Sequence, residues 1–347
     1  MRAIVKTVWE PEAIEIKEVD KPSISADEVL IKVHASGICG TDLEIYKATS
    51  PIPIQLPRIL GHEFSGVVAE VGEKVTNVKV GDRVVSESGV VCRHCIFCRM
   101  GRHNLCPERR PIGIARDGAF AEYVKAPSIN IHKVPDNVSL DEAALTEPLS
   151  VAVHAVIERS QVMAGDAVAV VGAGTIGLLV LGCASLAGAR MVLISGRHKN
   201  RLEVAKRLNA DVVVNEKEEN PVERVMELTD GLGVDVAYEA TGNPRAVEQA
   251  IAMTRKGGKV VLIGVHSRPL ESFNLHSVIS NEKTLLGCWT HTSSTWDRAL
   301  HLLSSKKINV APLITHQLPL EQIRLGFDLL KKRKAIKVLM KPGLSEA

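Results

Sequence analysis

Three residues with metal-binding side chains lie close together near the start of the chain. Cys39 is in the segment GICGTD, and His62 and Glu63 follow in the segment LGHE. A thiolate, an imidazole and a carboxylate can bind Zn²⁺ through three protein atoms and leave a fourth position open. A catalytic zinc needs that open position, because water or substrate must reach the metal. The sequence therefore predicts a catalytic metal site, provided that the fold brings these residues together.

A second group of thiols follows at Cys92, Cys95, Cys98 and Cys106. Four thiolates at the spacing C-x2-C-x2-C-x7-C can fill all positions of a tetrahedral zinc, which is the arrangement of a structural site. Pro107, directly after the last cysteine, also occurs in iron–sulfur patterns, so an iron–sulfur cluster is an alternative at this point. The odd total of seven cysteines, without a recognisable signal peptide, favours thiols and metal over a disulfide framework.

These ligands must be positioned by the stretch 1–150, which is rich in short β-like runs such as EVLIKVHA and FSGVVAEVG, with Gly and Pro between them. We predict a compact β-rich domain here. Residues 292–347 return to the same β-and-loop texture, so we expect the end of the chain to complete this domain. A length of 347 residues also favours two domains over one.

Residues 151–291 have the pattern of an α/β domain with a doubly wound parallel sheet. The apolar run AVAVV leads into GAGTIG and then into a helix-length apolar segment, and the strands MVLIS, VDVAYEA and GKVVLIG follow. Glycines at this spacing permit a tight turn, close approach to a pyrophosphate and close helix–strand packing. The residues expected to contact a dinucleotide are Gly172, Gly174, Thr175, Ile176, Gly177, Gly196, Arg197, Arg201, Ile263, Gly264 and Val265.

The end of the second strand of this domain bears on the choice of dinucleotide. NAD-specific sheets usually place Asp or Glu there to bind the ribose 2′-hydroxyl. This chain has Ser195-Gly196-Arg197-His198 instead, and Arg197 can pair with a 2′-phosphate. We therefore predict that NADP(H) is favoured over NAD(H). The alternative is that Arg197 and His198 form a solvent-exposed turn without this role.

The composition argues against two classes of partner. Lys+Arg 43 and Asp+Glu 40 give a net charge of +3, and the basic residues are interleaved with acidic ones, so we expect no nucleic-acid partner. No apolar run approaches the ~18 residues of a membrane span. We expect a cytoplasmic protein that acts on a small molecule.

Several segments, taken in order, resemble the zinc-dependent medium-chain dehydrogenases along the whole chain: GHEFSGVVAEVG, VKVGDRVV, the four-cysteine segment, DGAFAEYV, EPLSVAVHA and VGAGTIG. The Glu after His62 and the segment TEPLSVAVHA are most similar to the polyol (sorbitol) dehydrogenase branch. The resemblance implies a GroES-like catalytic domain with a Rossmann domain, two Zn²⁺ per chain, and a homodimer or homotetramer. It also implies reversible oxidation of a secondary alcohol of a polyol, cyclitol or sugar-like substrate, with hydride transfer to NAD(P).

The same resemblance assigns roles to residues around the first metal site. Cys39, His62 and Glu63 match the catalytic zinc ligands. Glu147 matches an acid that contacts the zinc-bound water or approaches the metal directly. Asp42 matches the carboxylate that orients the imidazole of His62.

Two positions concern the proton that leaves the substrate. Thr41 matches the hydroxyl that accepts it. Glu44 stands where many relatives have a histidine that relays the proton outward. A carboxyl group has an ordinary pKa of about 4 rather than ~6.5, so the exit route is an open question.

The substrate pocket is the least determined part of the sequence. Candidates to line it are Arg116, Trp289, Thr290 and His291, of which Arg116 and His291 can bind a polar or anionic substituent. One alternative within the family is an L-threonine 3-dehydrogenase-like enzyme, because CGTDLEIYK is also close to that group. A non-enzyme alternative is a metal-free NADP-binding protein of the same fold.

Overall fold

The computed structural model describes residues 1–266, 269 and 274–344. The chain forms two compact units, one comprising Met1–Glu147, His291–Lys306 and Leu313–Ala347, the other Pro148–Thr290 and Lys307–Pro312. The sequence predicts domain boundaries at 150 and 291 and a return to the first domain over residues 292–347. In the structure, residues 307–312 group with the second unit instead.

The strands and helices have the following bounds. The strands are β1 Arg2–Lys6, β2 Ile14–Glu18, β3 Glu28–Gly37, β4 Arg58–Ile59, β5 Glu63–Val71, β6 Arg83–Ser86, β7 Gly89–Val90, β8 Arg110–Pro111, β9 Tyr123–Pro127, β10 Ile131–Lys133, β11 Ala167–Val171, β12 Met191–Gly196, β13 Val212–Asn215, β14 Val234–Glu239, β15 Thr254–Leu262, β16 Thr284–Gly287, β17 Ile314–Pro319 and β18 Lys337–Lys341. The helices are α1 Gly40–Tyr46, α2 Ile96–Arg99, α3 Leu140–Ala143, α4 Thr146–Val153, α5 Thr175–Leu186, α6 Lys199–Arg207, α7 Pro221–Leu228, α8 Pro244–Met253, α9 Leu275–Ile279, α10 Ser293–Ser304 and α11 Ile323–Lys331.

The first unit is built around a sheet in which the described strands follow the order β10-β6-β5-β3-β18-β17, with β9 also paired to β3. Strand β3 lies at its centre, antiparallel to both β5 and β18. One core cluster packs α1 against α11, where the rings of Tyr46 and Phe327 stack with centroids 4.3 Å apart. The end of the chain thus completes the sheet that holds the metal-binding segment.

The second unit contains a parallel sheet whose described strands have the order β13-β12-β11-β14-β15-β16. All five residues of β11 are buried, as expected of a strand in a parallel sheet that is covered on both faces. The predicted α/β fold with a doubly wound parallel sheet is therefore confirmed.

The glycine-rich turn between β11 and α5 brings the helix close to the strand. A Cβ atom on Gly177 would lie only 1.8 Å from the carbonyl oxygen of Gly172. The first turn of α5 therefore packs against the turn in a way that only glycine permits at this position.

Within the described part of the chain, no helix is both long enough and apolar enough to cross a membrane.

Candidate active site

Adjacent strand ends bring the three predicted ligands of the first metal site together. Cys39 follows β3 and caps the N-terminus of α1, while Glu63 begins β5 directly after His62. Gly37 of β3 is paired with Glu63 of β5. The sulfur of Cys39, a ring nitrogen of His62 and a carboxylate oxygen of Glu63 lie within 4.8 Å of one another.

The surroundings of this cluster fit a bound cation. Asp42 is fully buried. Its Oδ2 accepts a hydrogen bond from the backbone amide of Cys39 at 2.9 Å, and its Oδ1 lies 3.6 Å from Nδ1 of His62. Burial lowers the pKa of His62, but the charges of Asp42 and Cys39 outweigh burial and raise it well above 6.5. The anionic groups thus favour a positive charge. Because Nδ1 faces Asp42, Nε2 is the nitrogen left for a metal.

The chemistry of the donor set agrees with zinc. One thiolate, one imidazole and one carboxylate supply two negative charges against the two positive charges of Zn²⁺. His62 Nδ1 and Asp42 Oδ1 are buried and have no hydrogen-bond partner at their separation of 3.6 Å. A small shift of the imidazole would close this gap. The residues present therefore fit a zinc ion with three protein ligands.

Lys337, which the sequence analysis did not identify, lies against the carboxylate of Glu63. Its Nζ is 2.5 Å from Glu63 Oε2 and 3.1 Å from the carbonyl oxygen of Ile38, and only 2% of either side chain of the ion pair is exposed. Burial lowers the pKa of Lys337, but the charges of Glu63 and Cys39 raise it overall. Strand β18 starts at Lys337 and runs beside β3, which explains the contact across 274 residues.

Glu147 lies in the first turn of α4 and is buried. Burial is the largest cause that raises its pKa, to about 7; the charge of Glu63 adds to this, and the charges of His62 and Lys337 oppose it. Its Oε1 is 3.6 Å from Nε2 of His291. The structure therefore places the predicted acid in the same charged environment as the three ligands.

The two predicted proton-transfer residues lie on α1. Thr41 is half-buried in the first turn of that helix. The carboxylate of Glu44 accepts hydrogen bonds from Thr49 Oγ1 at 2.5 Å and Lys47 Nζ at 3.0 Å. Burial raises the pKa of Glu44, but these two contacts lower it overall. A carboxylate held in this way stays ionised at neutral pH, which argues against Glu44 as a carrier of protons.

The predicted pocket residues have different surroundings. Arg116 is engaged elsewhere, with Nη2 2.5 Å from Glu28 Oε1, so its predicted role in binding an anionic substituent is not supported. Trp289 is 42% exposed, and Thr290 adopts a positive φ of 49°. The ring nitrogens of His291 contact protein groups, as described below.

Arg109 is a guanidinium group that the sequence analysis missed. Burial lowers the pKa of Arg109, and the charges of Glu147, Cys106 and Glu87 oppose this shift without cancelling it. Among the described residues, none forms a side-chain hydrogen bond or ion pair with this guanidinium, whereas Arg116 is paired. Nothing in the sequence around Arg109, three residues beyond the last cysteine of the cluster, indicates a role in substrate binding.

The four cysteines of the second group meet in one cluster, with their sulfur atoms within 4.8 Å of one another. Cys92 Sγ lies 3.6 Å from Cys106 Sγ and 4.0 Å from Cys98 Sγ. A tetrahedral zinc with Zn–S bonds of about 2.3 Å needs sulfur separations of roughly 3.8 Å. These distances suit a single ion and leave no space for several irons with bridging sulfides, which argues against the iron–sulfur alternative.

The predicted dinucleotide contacts lie at the carboxyl ends of the parallel strands, where ligands bind in sheets of this type. Gly172 and Gly174 follow β11, Gly196 ends β12, and Ile263–Val265 follow β15. Thr175, Ile176 and Gly177 form the first turn of α5. A Cβ atom on Gly174 would lie 3.9 Å from Arg201 Nη1, so this guanidinium is close to the glycine turn.

A carboxylate missed by the sequence analysis lies at the end of β12. Glu216 Oε1 accepts a hydrogen bond from Ser195 Oγ at 3.1 Å, and its backbone amide donates to the carbonyl oxygen of Gly196. The four residues Ser195 to His198 contain no acid, as the sequence shows, but the neighbouring strand β13 brings Glu216 to this position. Arg197, the residue after Gly196, is exposed, so this end of the sheet carries charges of both signs.

Comparisons with known proteins agree with this geometry. Residues 25–136 match the family model of the alcohol dehydrogenase GroES-like domain, and residues 175–305 match that of zinc-binding dehydrogenases. The chain is 40% identical over 345 residues to an L-threonine 3-dehydrogenase of Bacillus velezensis, covering 99% of both chains. It is 39% identical over 332 residues to a D-arabitol-phosphate dehydrogenase of Enterococcus avium, covering 95% of this chain and 94% of the relative. A zinc-binding dehydrogenase from Sinorhizobium meliloti 1021, solved with NADP bound, superimposes with a TM-score of 0.91 at 31% identity over 98% of this chain and 99% of that chain.

Proposed function

The chain belongs to the zinc-dependent medium-chain dehydrogenases and is an alcohol dehydrogenase of that family. On this premise we propose that it reversibly oxidises a secondary alcohol of a polyol, cyclitol or sugar-like substrate, with NADP⁺ favoured as the hydride acceptor. The observation that carries the proposal is the cluster of Cys39, His62 and Glu63 with Glu147 beside it. Three ligands leave one position for a hydroxyl group, unlike the closed site of four cysteines.

The residues of the site have separate tasks in this proposal. Cys39, His62 and Glu63 would hold a zinc ion, which would supply a Lewis acid for a substrate hydroxyl group. Asp42 keeps the imidazole of His62 in one orientation. Thr41, in the turn that follows Cys39, receives the proton of the substrate hydroxyl. The nicotinamide ring of the dinucleotide provides the chemistry of hydride transfer.

Removal and return of metal tests the metal-dependent part. We expect a strong chelator to abolish activity and added zinc to restore it, with two zinc ions per chain by elemental analysis of the fully loaded protein. Full activity of protein shown to be free of metal would end the proposal. Such a result would revive the alternative of a metal-free NADP-binding fold, which membership in an enzyme family otherwise argues against.

The preference for NADP is supported by Arg197 and Arg201 near the end of β12 and the glycine turn, and opposed by Glu216. We expect Arg197→Ala to lower kcat/KM for NADP⁺ by about tenfold or more, the value of one charge-assisted contact, and to leave NAD⁺ almost unchanged. Glu216→Gln is the matched variant, and its effect should favour NADP⁺, because a negative charge near the 2′-phosphate is removed. A wild-type protein with a higher kcat/KM for NAD⁺ would refute the preference.

The main alternative is oxidation of L-threonine at its secondary alcohol, because the similar protein from Bacillus velezensis is an L-threonine 3-dehydrogenase. Arg109 favours a substrate with an anionic group, such as the carboxylate of L-threonine or the phosphate of a sugar phosphate. Its guanidinium has no side-chain partner among the described residues, and the charge of Glu147 acts on it. A screen of polyols, sugar phosphates, cyclitols and L-threonine with both dinucleotides decides between the two. Activity confined to L-threonine would replace the polyol proposal.

We also propose that the protein is a cytoplasmic homodimer or homotetramer. Light scattering coupled to size-exclusion chromatography measures the assembly, and a monomer at micromolar concentration would contradict it.

A further inference from the structure

We propose that His291 is a positioning residue that orients the carboxylate of Glu147 through its Nε2–H group, and that Trp296 fixes the required tautomer of His291. The inference rests on the proposed function, because the task of Glu147 in the alcohol site comes from that proposal. It assigns His291 a different role from the substrate contact expected from the sequence.

The tautomer follows from one hydrogen bond. Nε1 of Trp296 donates to Nδ1 of His291 at 2.8 Å, and both side chains are buried, with exposures of 1% and 4% respectively. An indole nitrogen can only donate a hydrogen bond. Nδ1 of His291 therefore carries no proton, and a neutral imidazole must have its proton on Nε2.

The protonated nitrogen faces two oxygen-bearing side chains. Nε2 of His291 lies 3.3 Å from Ser88 Oγ and 3.6 Å from Glu147 Oε1. The second distance is an electrostatic contact rather than a hydrogen bond. An N–H group that points toward a carboxylate oxygen attracts it, whereas the other tautomer would present a lone pair and repel it. The tautomer therefore decides whether Glu147 is held or released.

Trp296 is itself held in place by its surroundings. It lies in α10, whose first turn is closed by reciprocal hydrogen bonds between Thr292 and Thr295. Its ring meets His291 edge to face, with centroids 5.1 Å apart, and stacks on His132 at 5.7 Å. Because the indole is fixed from both sides, it can impose its geometry on the imidazole.

These contacts also explain why His291 is a poor candidate to bind substrate. Nδ1 accepts from Trp296, and Nε2 faces Ser88 and Glu147, so both ring nitrogens have protein neighbours. An effect of His291 on catalysis should therefore pass through Glu147. This expectation separates the proposal from a role in substrate binding or in structure alone.

The first experiment measures the tautomer itself. Ring ¹⁵N shifts of histidine-labelled, zinc-loaded wild-type protein should show the Nε2–H form for His291, assigned by the signal that is lost in His291→Gln. Trp296→Phe keeps an aromatic ring but removes the donor, so the Nδ1–H form should become populated. Trp9→Phe, at an exposed tryptophan of the same unit, is the control and should leave the shifts unchanged. An Nδ1–H form in the wild type overturns the proposal.

The second experiment is a double-mutant cycle on kcat and KM. We expect His291→Met to lower kcat about tenfold, the value of an interaction with a charged group, with KM little changed. His291→Gln should restore most of kcat, because its amide can place an N–H near the position of Nε2. In a Glu147→Gln background, His291→Met should cause no further loss. The same tenfold loss in that background overturns the proposal.

The outcomes of this test and of the proposed function are distinguishable. If no alcohol is oxidised with either dinucleotide, the proposed function fails, while the ¹⁵N shifts still decide the tautomer. If His291→Met fails to fold, Trp296→Phe in the wild-type and Glu147→Gln backgrounds provides the same cycle.

Discussion

Replacement of Lys337 by Met should destabilise the metal-free protein strongly and the zinc-loaded protein much less. In the metal-free state Lys337 is in direct contact with the buried carboxylate of Glu63, with Nζ 2.5 Å from Oε2. At an effective dielectric constant of about 20, Coulomb's law gives an attraction of roughly 7 kcal/mol at this distance, before the cost of desolvation. Removal of one partner from a buried ion pair typically costs about 3–5 kcal/mol of unfolding free energy. We expect a loss in this range.

A bound zinc ion changes the result because it would place two positive charges in direct contact with Glu63. The loss of stability in Lys337→Met should therefore shrink when zinc is saturating. By thermodynamic linkage, the same variant should bind zinc more tightly, since a positive charge that competes for Glu63 has been removed. Chemical unfolding with and without zinc measures the first effect, and competition with a chromophoric chelator measures the second.

Lys331→Met is the matched control. Lys331 pairs with Glu12 at 3.1 Å, but about half of each side chain is exposed, at 49% and 50%. Exposed pairs contribute about 0–1 kcal/mol, so this variant should change the free energy of unfolding little and leave zinc affinity unaltered. The reasoning fails if Lys337→Met costs no more than Lys331→Met, or if its cost is equal with and without zinc.

Three further predictions follow from the packing and charges of the two units. Gly177→Ala should prevent dinucleotide binding and lower the melting temperature, because the new Cβ would lie 1.8 Å from a backbone carbonyl oxygen. Gly182→Ala in the same helix is the control: its Cβ would have no atom closer than 3.9 Å, so it should stabilise the protein by up to about 1 kcal/mol. Thermal unfolding and dinucleotide titration check both variants. Burial raises the pKa of Asp141, but the contact with Lys341 lowers it overall. The carboxylate therefore adds its full share to the free energy of unfolding above pH 3.8, the pKa in the unfolded chain, and this share is lost as pH falls through the lower pKa of the folded protein. Asp141→Asn should therefore cost about 0.5–1 kcal/mol at pH 7 and nothing near pH 2, and an equal cost at both pH values in urea unfolding would contradict this account. Cys98→Ser should remove one zinc ion per chain while the cluster around Cys39 keeps its ion, as measured by elemental analysis; an unchanged zinc content would show that the four-cysteine cluster is not a zinc site.

Local sequence patterns were sufficient for much of the fold and the ligand chemistry. The run AVAVV followed by GAGTIG predicts a buried strand, a tight turn and a helix, because each feature depends on neighbouring residues. The spacing of the four cysteines predicts their cluster for the same reason. The side-chain types of Cys39, His62 and Glu63 predict an open metal site on the condition that the fold brings them together. The structure meets this condition, because their ligand atoms lie within 4.8 Å of one another.

The partners of these residues could not be predicted, because they come from distant parts of the chain. Lys337 reaches Glu63 across 274 residues, since the last strand of the sheet pairs with β3. Glu216 reaches Ser195 because β13 lies beside β12. His291 meets Glu147 only after the chain has returned to the first unit. None of these pairs has a spacing that a local pattern can reveal.

The sequence by itself therefore determined the types of ligand, the order of the elements and the class of chemistry, since these depend on side-chain identity and short-range periodicity. Only the tertiary structure decided the charges around each ligand. In the structure, Lys337 forms an ion pair with Glu63, and Arg116 forms one with Glu28. The carboxylate of Glu44 accepts hydrogen bonds from Lys47 and Thr49, and Glu216 lies at the strand end predicted to contact NADP. The physical reason is that electrostatic interactions depend on distance in space and on burial, and strand pairing sets both.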